Sequence, residues 1–398
     1  MPIRLGNKAD GDDFFDRVSE RDDLWRILEA NHVVLSGARR LGKTSLLQRL
    51  ADEASGKGLL AVLVDVEGIN NPASFFDAID KALPDESIRA HLRAMADRVG
   101  DWLARLKKVE VKIPGGVGGG VELQPLPAPP WRNTAQAVQQ RLSPTPVLLL
   151  IDEVSVFLKK LLDRDAAEAE SLLAGLRTWR QQSGLACRFL FSGSIGLNAL
   201  LARYRLTTYF NDCHDFRLGP FKRPAALAML GEQAQRENWA ASEDVLAHLC
   251  QRTGWLSPYY LNLLLNASCE AARDRGEETG SSERRLQFSD VDDAYDRLLA
   301  TRSRFIHWRQ RLERDLDEPQ RSFTLAILAA VARADDGVTR RQLLARLTRL
   351  EADADQRADR LEQALLLLDE DGYLDINSER IRFLSFLLRD YWRRNHER

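Results

Sequence analysis

The chain has 398 residues, 44% hydrophobic, 29% charged and 8% aromatic, a length too great for one compact core and suited to two or three domains. Its 57 Lys and Arg against 59 Asp and Glu leave a net charge of -2, which excludes a polyanion-binding surface over the whole chain but leaves room for a local basic patch. Four separated cysteines (Cys187, Cys213, Cys250, Cys269) include no C-x-x-C pair, so reduced structural thiols are expected rather than a metal site. The N-terminal MPIRLGNKADGDDFF has no apolar h-region, and the longest apolar run, Phe323 to Ala332, is about half of the ~20 residues that a membrane span needs. With no lipidation motif either, the expectation is a cytoplasmic protein with no membrane association.

In chain order, Leu24, Ile27 and Leu28 form a helical stripe ahead of the apolar run Val33–Val34–Leu35. Ser36–Gly37 ends that run, and a helical pattern (Leu46, Leu47, Leu50) follows. A strand is predicted over 59–66, a helix opened by Pro72 over 72–83, and short buried strands over 147–151 and 188–191. This alternation implies a parallel sheet covered by helices on both faces. Between Val109 and Trp131 the composition changes. KVEVKIPGGVGGGVEL predicts a β-hairpin and QPLPAPP an extended connector, together an insertion at 109–130. Residues 221–300 are predicted helical, with a break at Thr253–Gly254, a new helix at Ser257–Pro258 and a loop over 276–282. From Pro319 the predicted order is three helices and two strands (373–376 and 380–386), the order of a winged helix-turn-helix. The expected domains are therefore 1–220, 221–318 and 319–398.

Gly37-Ala38-Arg39-Arg40-Leu41-Gly42-Lys43-Thr44 matches G-x-x-x-x-G-K-[ST] between a strand and a helix. In such a loop the glycines let backbone N–H groups close around a β-phosphate, where a Cβ would crowd. The following helix points its positive end at the anion, Lys43 reaches the β- and γ-phosphates, and Thr44 ligates Mg²⁺. Arg39, Arg40 and Ser45 complete the expected ATP-binding set. VLLLIDE (147–153) supplies the other half: Asp152 for the Mg²⁺ shell and Glu153 to polarise the attacking water. Ser192, in Ser192-Gly193-Ser194, is either a sensor of the γ-phosphate or the cap of the helix that follows. Arg203 and Arg205 are candidate fingers for a neighbouring subunit's nucleotide, or solvated helix-end cations.

In sum, an F-x-x-R-x-x-E-like lead (Phe15 to Glu20), GARRLGKTSLL, VLLLIDE, FLFSGS, LGPF, TGWLSPYYL and a terminal winged helix resemble the AAA+-related ATPases near the STAND, archaeal-ATPase and origin-recognition groups. The resemblance implies an α/β P-loop NTPase fold, a doubly wound parallel sheet of order 5-1-4-3-2 with a helical lid. It also implies a Mg²⁺-dependent, slow ATPase acting as a nucleotide-driven switch. It places Arg17 and Glu20 at the adenine pocket and Pro258 at the base of the lid. TGWLSPYYLNLL lacks the sensor arginine of many AAA+ members, which points to slow turnover.

Residues 351–371 hold eight carboxylates (Glu351, Asp353, Asp355, Asp359, Glu362, Asp369, Glu370, Asp371) against Arg357 and Arg360, with Leu361, Leu365 and Leu368 as the core stripe. A reading helix needs the opposite sign, because phosphate neutralisation supplies most of the binding energy. The terminal module is thus expected to meet a protein partner, an effector or regulator, with homo-oligomers possible and nucleic-acid contact weak and nonspecific. Arg302, Arg304, Phe305, Trp308, Arg309, Arg311 and Arg314 form a basic-aromatic stretch, read as a long connecting helix with a solvated basic face or as a nucleic-acid contact. The rival function is an origin-recognition or transposition-type DNA-binding ATPase.

Overall fold

The computed structural model describes Phe15 and residues 17–83, 131–143, 145–193, 196–279, 284–301 and 305–395. The predicted hairpin and proline-rich connector at 109–130, Ser194, and Arg302 and Arg304 lie outside the described residues. Two compact units emerge. Arg17–Ser36 and Lys43–Arg217 build one; Gly37–Gly42 packs into the other, with the chain from Leu218 onward.

The first unit is a five-stranded parallel sheet. Its strands are β1 (His32–Ser36), β2 (Leu60–Asp65), β3 (Val147–Asp152), β4 (Arg188–Ser192) and β5 (Cys213–Arg217), in the order β2-β3-β4-β1-β5. That order, read from the other edge, is the expected 5-1-4-3-2. β3 is buried along its whole length because it is central and covered twice. Val147, Leu149 and Ile151 join a core with Phe75, Phe76 and Phe157. Leu148 and Leu150 alternate to the other face and are equally buried. Helices α1 (Val18–Leu28), α2 (Lys43–Ala54), α3 (Pro72–Ala82), α4 (Trp131–Leu142), α5 (Val154–Arg164), α6 (Ala166–Arg180) and α7 (Leu197–Arg203) complete the unit. Pro72 stands at the start of α3, and Asn71 caps it by accepting from the Ser74 N–H at 2.8 Å.

The sequence reading named no strand at 213–217. CHDFR has no apolar alternation because β5 is an edge strand, mostly open to solvent.

In the second unit come α8 (Arg223–Arg236), α9 (Glu243–Thr253), α10 (Pro258–Thr279), α11 (Phe288–Ala300), α12 (Ile306–Asp315), α13 (Gln320–Ala332), α14 (Arg340–Arg346), α15 (Ala354–Glu370), β6 (Leu374–Asp375), β7 (Arg382–Phe383) and α16 (Phe386–Asn395). Gly254 ends α9 at φ +75°, where an added Cβ would stand 2.8 Å from the Phe386 ring. The predicted loop at 276–282 is corrected in part, since α10 continues to Thr279. The two late strands are also shorter than expected, two residues each, and Phe386 already opens a helix. The Leu361, Leu365 and Leu368 stripe is buried as predicted.

Candidate functional site

β1 ends at Ser36 and α2 begins at Lys43, so Gly37–Gly42 is the loop between a buried strand and a helix N-terminus. Three of its residues have positive φ: Gly37 (136°), Arg40 (69°) and Gly42 (89°). At Gly37 a Cβ would lie 2.6 Å from the Leu218 carbonyl oxygen, so glycine is required by space as well as by conformation. Around Gly42 a Cβ would meet nothing within 4 Å, so glycine is required there by φ alone.

Arg40, a non-glycine residue in the left-handed region, is held from several sides. Its carbonyl oxygen accepts from Ser257 Oγ at 2.7 Å, its guanidinium carbon sits 3.9 Å from the Tyr259 ring centroid, and Nη2 donates to His307 Nε2 at 3.2 Å. These partners escaped the sequence reading, although Ser257 and Tyr259 flank Pro258 in the quoted TGWLSPYYL. Pro258 itself opens α10 beside them, half-buried.

At the C-terminal edge of the sheet, Thr44 Oγ1 donates to Asp152 Oδ2 at 2.7 Å. Asp152 is buried at the end of β3, in register with Asp65 of β2, and its Oδ1 accepts from the Glu153 backbone N–H at 3.0 Å. Glu153 takes φ 59° and ψ 29° immediately before α5. Lys43 and Ser45 are buried on the first turn of α2. Ser192 ends β4 opposite Leu35 of β1. Its hydroxyl is fully buried and has no hydrogen-bond partner. Its capping role is not realised: α7 starts after Gly196, with no side-chain cap.

The next residue, Gly193, lies so close to α5 that a Cβ there would fall 2.2 Å from Ser155 Oγ. Ser155 was not singled out from the sequence, and Gly193 only as the middle of Ser192-Gly193-Ser194. Arg17 is buried at φ 67° and donates from Nη1 to Glu20 Oε1 at 2.7 Å. Burial alone would raise the Glu20 carboxyl, but hydrogen bonds from Arg17, the backbone and Ser19, with the Arg17 charge, together outweigh it and hold the carboxyl below its ordinary range. Arg203 and Arg205 are both exposed.

Thr44 and Asp152 present hard oxygen donors, which suit Mg²⁺. No group of three or more His, Cys, Asp or Glu side chains arranged for a metal occurs among the described residues. The four cysteines are free; burial pushes the Cys213 and Cys269 thiols up to about 12 and Cys250 to about 11. They are poor nucleophiles and fit the structural reading. No described helix is long and apolar enough to cross a membrane.

No family model and no curated protein matches the sequence. Among solved structures, a Walker-type ATPase of Pyrococcus abyssi superposes with a TM-score of 0.62 at 16% identity, over 99% of this chain and 100% of that one. The ORC2 protein of Aeropyrum pernix follows at TM-score 0.43 and 15% identity, covering 96% of each chain. The Holliday junction branch migration motor RuvB of Thermotoga maritima gives 0.42 at 15% identity, with 94% of each chain covered. At those two scores neither adds to the assignment. The first, with the sheet order and the strand–loop–helix of Gly37–Thr44, gives this chain the P-loop NTPase fold, in a mostly helical α/β protein.

Proposed function

We propose that this chain binds ATP with Mg²⁺, hydrolyses it slowly, and uses its nucleotide state to control contact with a partner protein. The observation that carries the reading is the 2.7 Å hydrogen bond between Thr44 and Asp152. Two oxygen donors 108 residues apart in sequence meet at the strand ends, where a doubly wound sheet forms its ligand crevice. Thr44 and Asp152 would hold the metal, which when bound neutralises charge on phosphate oxygens. Lys43 supplies the cation for the β- and γ-phosphates, Glu153 takes the proton from water, and Ser192 has a buried hydroxyl free to report on the γ-phosphate. The Arg17–Glu20 pair forms one wall of the adenine pocket, and Pro258 belongs to the base of the lid.

Residues 319–395 are read as a winged helix of the STAND type, the last of three domains (1–220, 221–318, 319–398). The two-stranded ribbon between α15 and α16, extended by the Val338–Ile381 bridge, supports that reading. Its α15 carries exposed Asp355 and Asp359, which favours a protein partner over DNA. Exposed Arg203 and Arg205 leave a finger in trans open, in a homo-oligomer. In calorimetry, Lys43→Ala is expected to weaken ATP binding at least about tenfold, since a charge-assisted phosphate contact is lost. Unchanged affinity would overturn the assignment.

A further inference from the structure

The basic-aromatic stretch before the terminal module is not used by the nucleotide chemistry above, and its predicted solvated face forms only in part: Arg314 is exposed but Arg311 is not. α12 is a short helix, and Trp308 and Arg311 on it are only 2% and 7% exposed. With Arg39 and Arg40 of the phosphate loop, His307, Gln310 and Arg314 they line a half-open cavity of about 380 Å³. Small-molecule sites run from roughly 300 to 1,000 Å³.

The wall is rich in positive charge. Arg311 is paired with Asp371 (3.1 Å) and Asp315 (3.2 Å), and Arg314 shares Asp315 at 2.8 Å. Arg40 instead meets neutral groups, the His307 imidazole and the Tyr259 ring. Guanidinium groups converging on one cavity focus a positive potential there. His307 registers that field: burial first, then Arg40, Arg39 and Arg311, push its pKa down to about 4. A second observation is independent of charge. Trp308 Nε1 is buried and has no hydrogen-bond partner, a donor of the kind that native structures nearly always satisfy.

We propose that this cavity is a second anion site, distinct from the phosphate cradle, that takes a small multivalent oxyanion such as pyrophosphate or the phosphate end of a phosphorylated metabolite. Planar guanidinium forks match phosphate oxygens two at a time, and the indole N–H adds a donor suited to the same acceptors. A volume of about 380 Å³ is that of a small-ligand site.

The test is calorimetric titration of pyrophosphate into the full-length Lys43→Ala chain, in which the cradle has lost its cation. One saturable event is expected, weakened at least about tenfold by adding Arg314→Glu, whose side chain is 73% exposed and therefore safe for folding. Trp308→Phe, which removes the N–H and keeps most of the ring, should weaken it less. The wild-type chain saturated with Mg²⁺ and a non-hydrolysable ATP analogue should bind pyrophosphate with the same affinity as the Lys43→Ala chain. Absence of binding, indifference to Arg314→Glu, or loss of the site when the cradle is filled would each overturn the proposal. So would a short oligonucleotide that binds through Arg314 more tightly than pyrophosphate, because the ligand would then be nucleic acid. None of these outcomes depends on ATP turnover, so failure here and failure of the ATPase reading are distinguishable.

Discussion

Glu153 is the residue on which binding and turnover should separate. A non-glycine side chain in the left-handed region costs on the order of 1–3 kcal/mol and persists where its surroundings hold it. Here Asp152 accepts its N–H and α5 begins at the next residue. Glu153→Gln keeps the shape and removes the base, so hydrolysis should fall at least ~10²-fold while Mg²⁺–ATP still binds; single-turnover assays beside equilibrium binding read both. Gly193 offers a second check. Gly193→Ala would drive a Cβ into Ser155 Oγ and disturb the first turn of α5, lowering turnover more than nucleotide affinity. Adding Ser155→Gly should restore most of that loss, because the close approach left is then to the residue 155 backbone nitrogen, at 3.2 Å. A double variant no better than the single one would show that Gly193 acts otherwise. Lys43, Thr44, Asp152 and Glu153 were legible in the sequence because each lies in a contiguous motif with a strand in front of it. The Ser155–Gly193 approach and the Ser257, Tyr259 and His307 cage around Arg40 were not, since only tertiary folding brings such distant residues together.

Among the elements, β1, β2, β3 and β4 were readable as apolar runs, and β1, β3 and β4 are the strands buried in the sheet interior. β5 was not, because its side chains are mostly open to solvent and carry no apolar pattern, and the two-residue ribbon strands lacked the length that periodicity requires. The contact between β1 and β4 carries a pH signature. His32 Nδ1 accepts from the Phe189 N–H at 3.2 Å, which leaves Nε2 to donate to the Arg180 carbonyl oxygen at 3.1 Å. The bond accepted at Nδ1 needs the neutral ring, whereas the one donated from Nε2 would survive protonation. Burial, partly offset by the Arg180 carbonyl, lowers its pKa from 6.5 to about 4. The folded state therefore binds fewer protons than the unfolded one between those values. The stabilisation is present above pH 6.5 and lost as pH falls toward 4, up to about 3 kcal/mol. Melting temperature should drop across this window, and His32→Gln should flatten that part of the profile; an unchanged slope in the variant would assign it to other groups.

For the whole molecule, net charge is close to neutral, and the stretch 319–398 holds fourteen arginines and fourteen Asp and Glu. Many of these arginines already serve carboxylates, as in Arg340–Glu362, Arg360–Glu351, Arg393–Asp335 and Arg394–Asp296. Duplex DNA should accordingly bind weakly and without sequence preference, and the affinity should collapse between low and physiological salt, where exposed charges are screened within ~8 Å. Tight, sequence-dependent binding of the full chain at physiological salt would instead promote a DNA-binding ATPase. Asp355→Lys with Asp359→Lys, both on the exposed face of α15, should impair partner capture or self-association and leave the melting temperature nearly unchanged.

The phosphate loop also has a place in time. Its contacts from Arg40 reach 217 residues ahead to Ser257 and 267 ahead to His307, and Gly372 packs on Ala38. A nascent chain emerges N-terminus first at roughly 5–20 residues per second. Residues 37–42 therefore leave the ribosome well before anything exists to hold them. Closure over such sequence distances is slow, so the loop is among the last parts of the protein to mature. A fragment ending near residue 217 carries every residue of the nucleotide motifs and none of the Ser257, Tyr259, His307 and Gly372 contacts that shape the loop. The packing around this loop thus waits until the C-terminal half of the chain has been made.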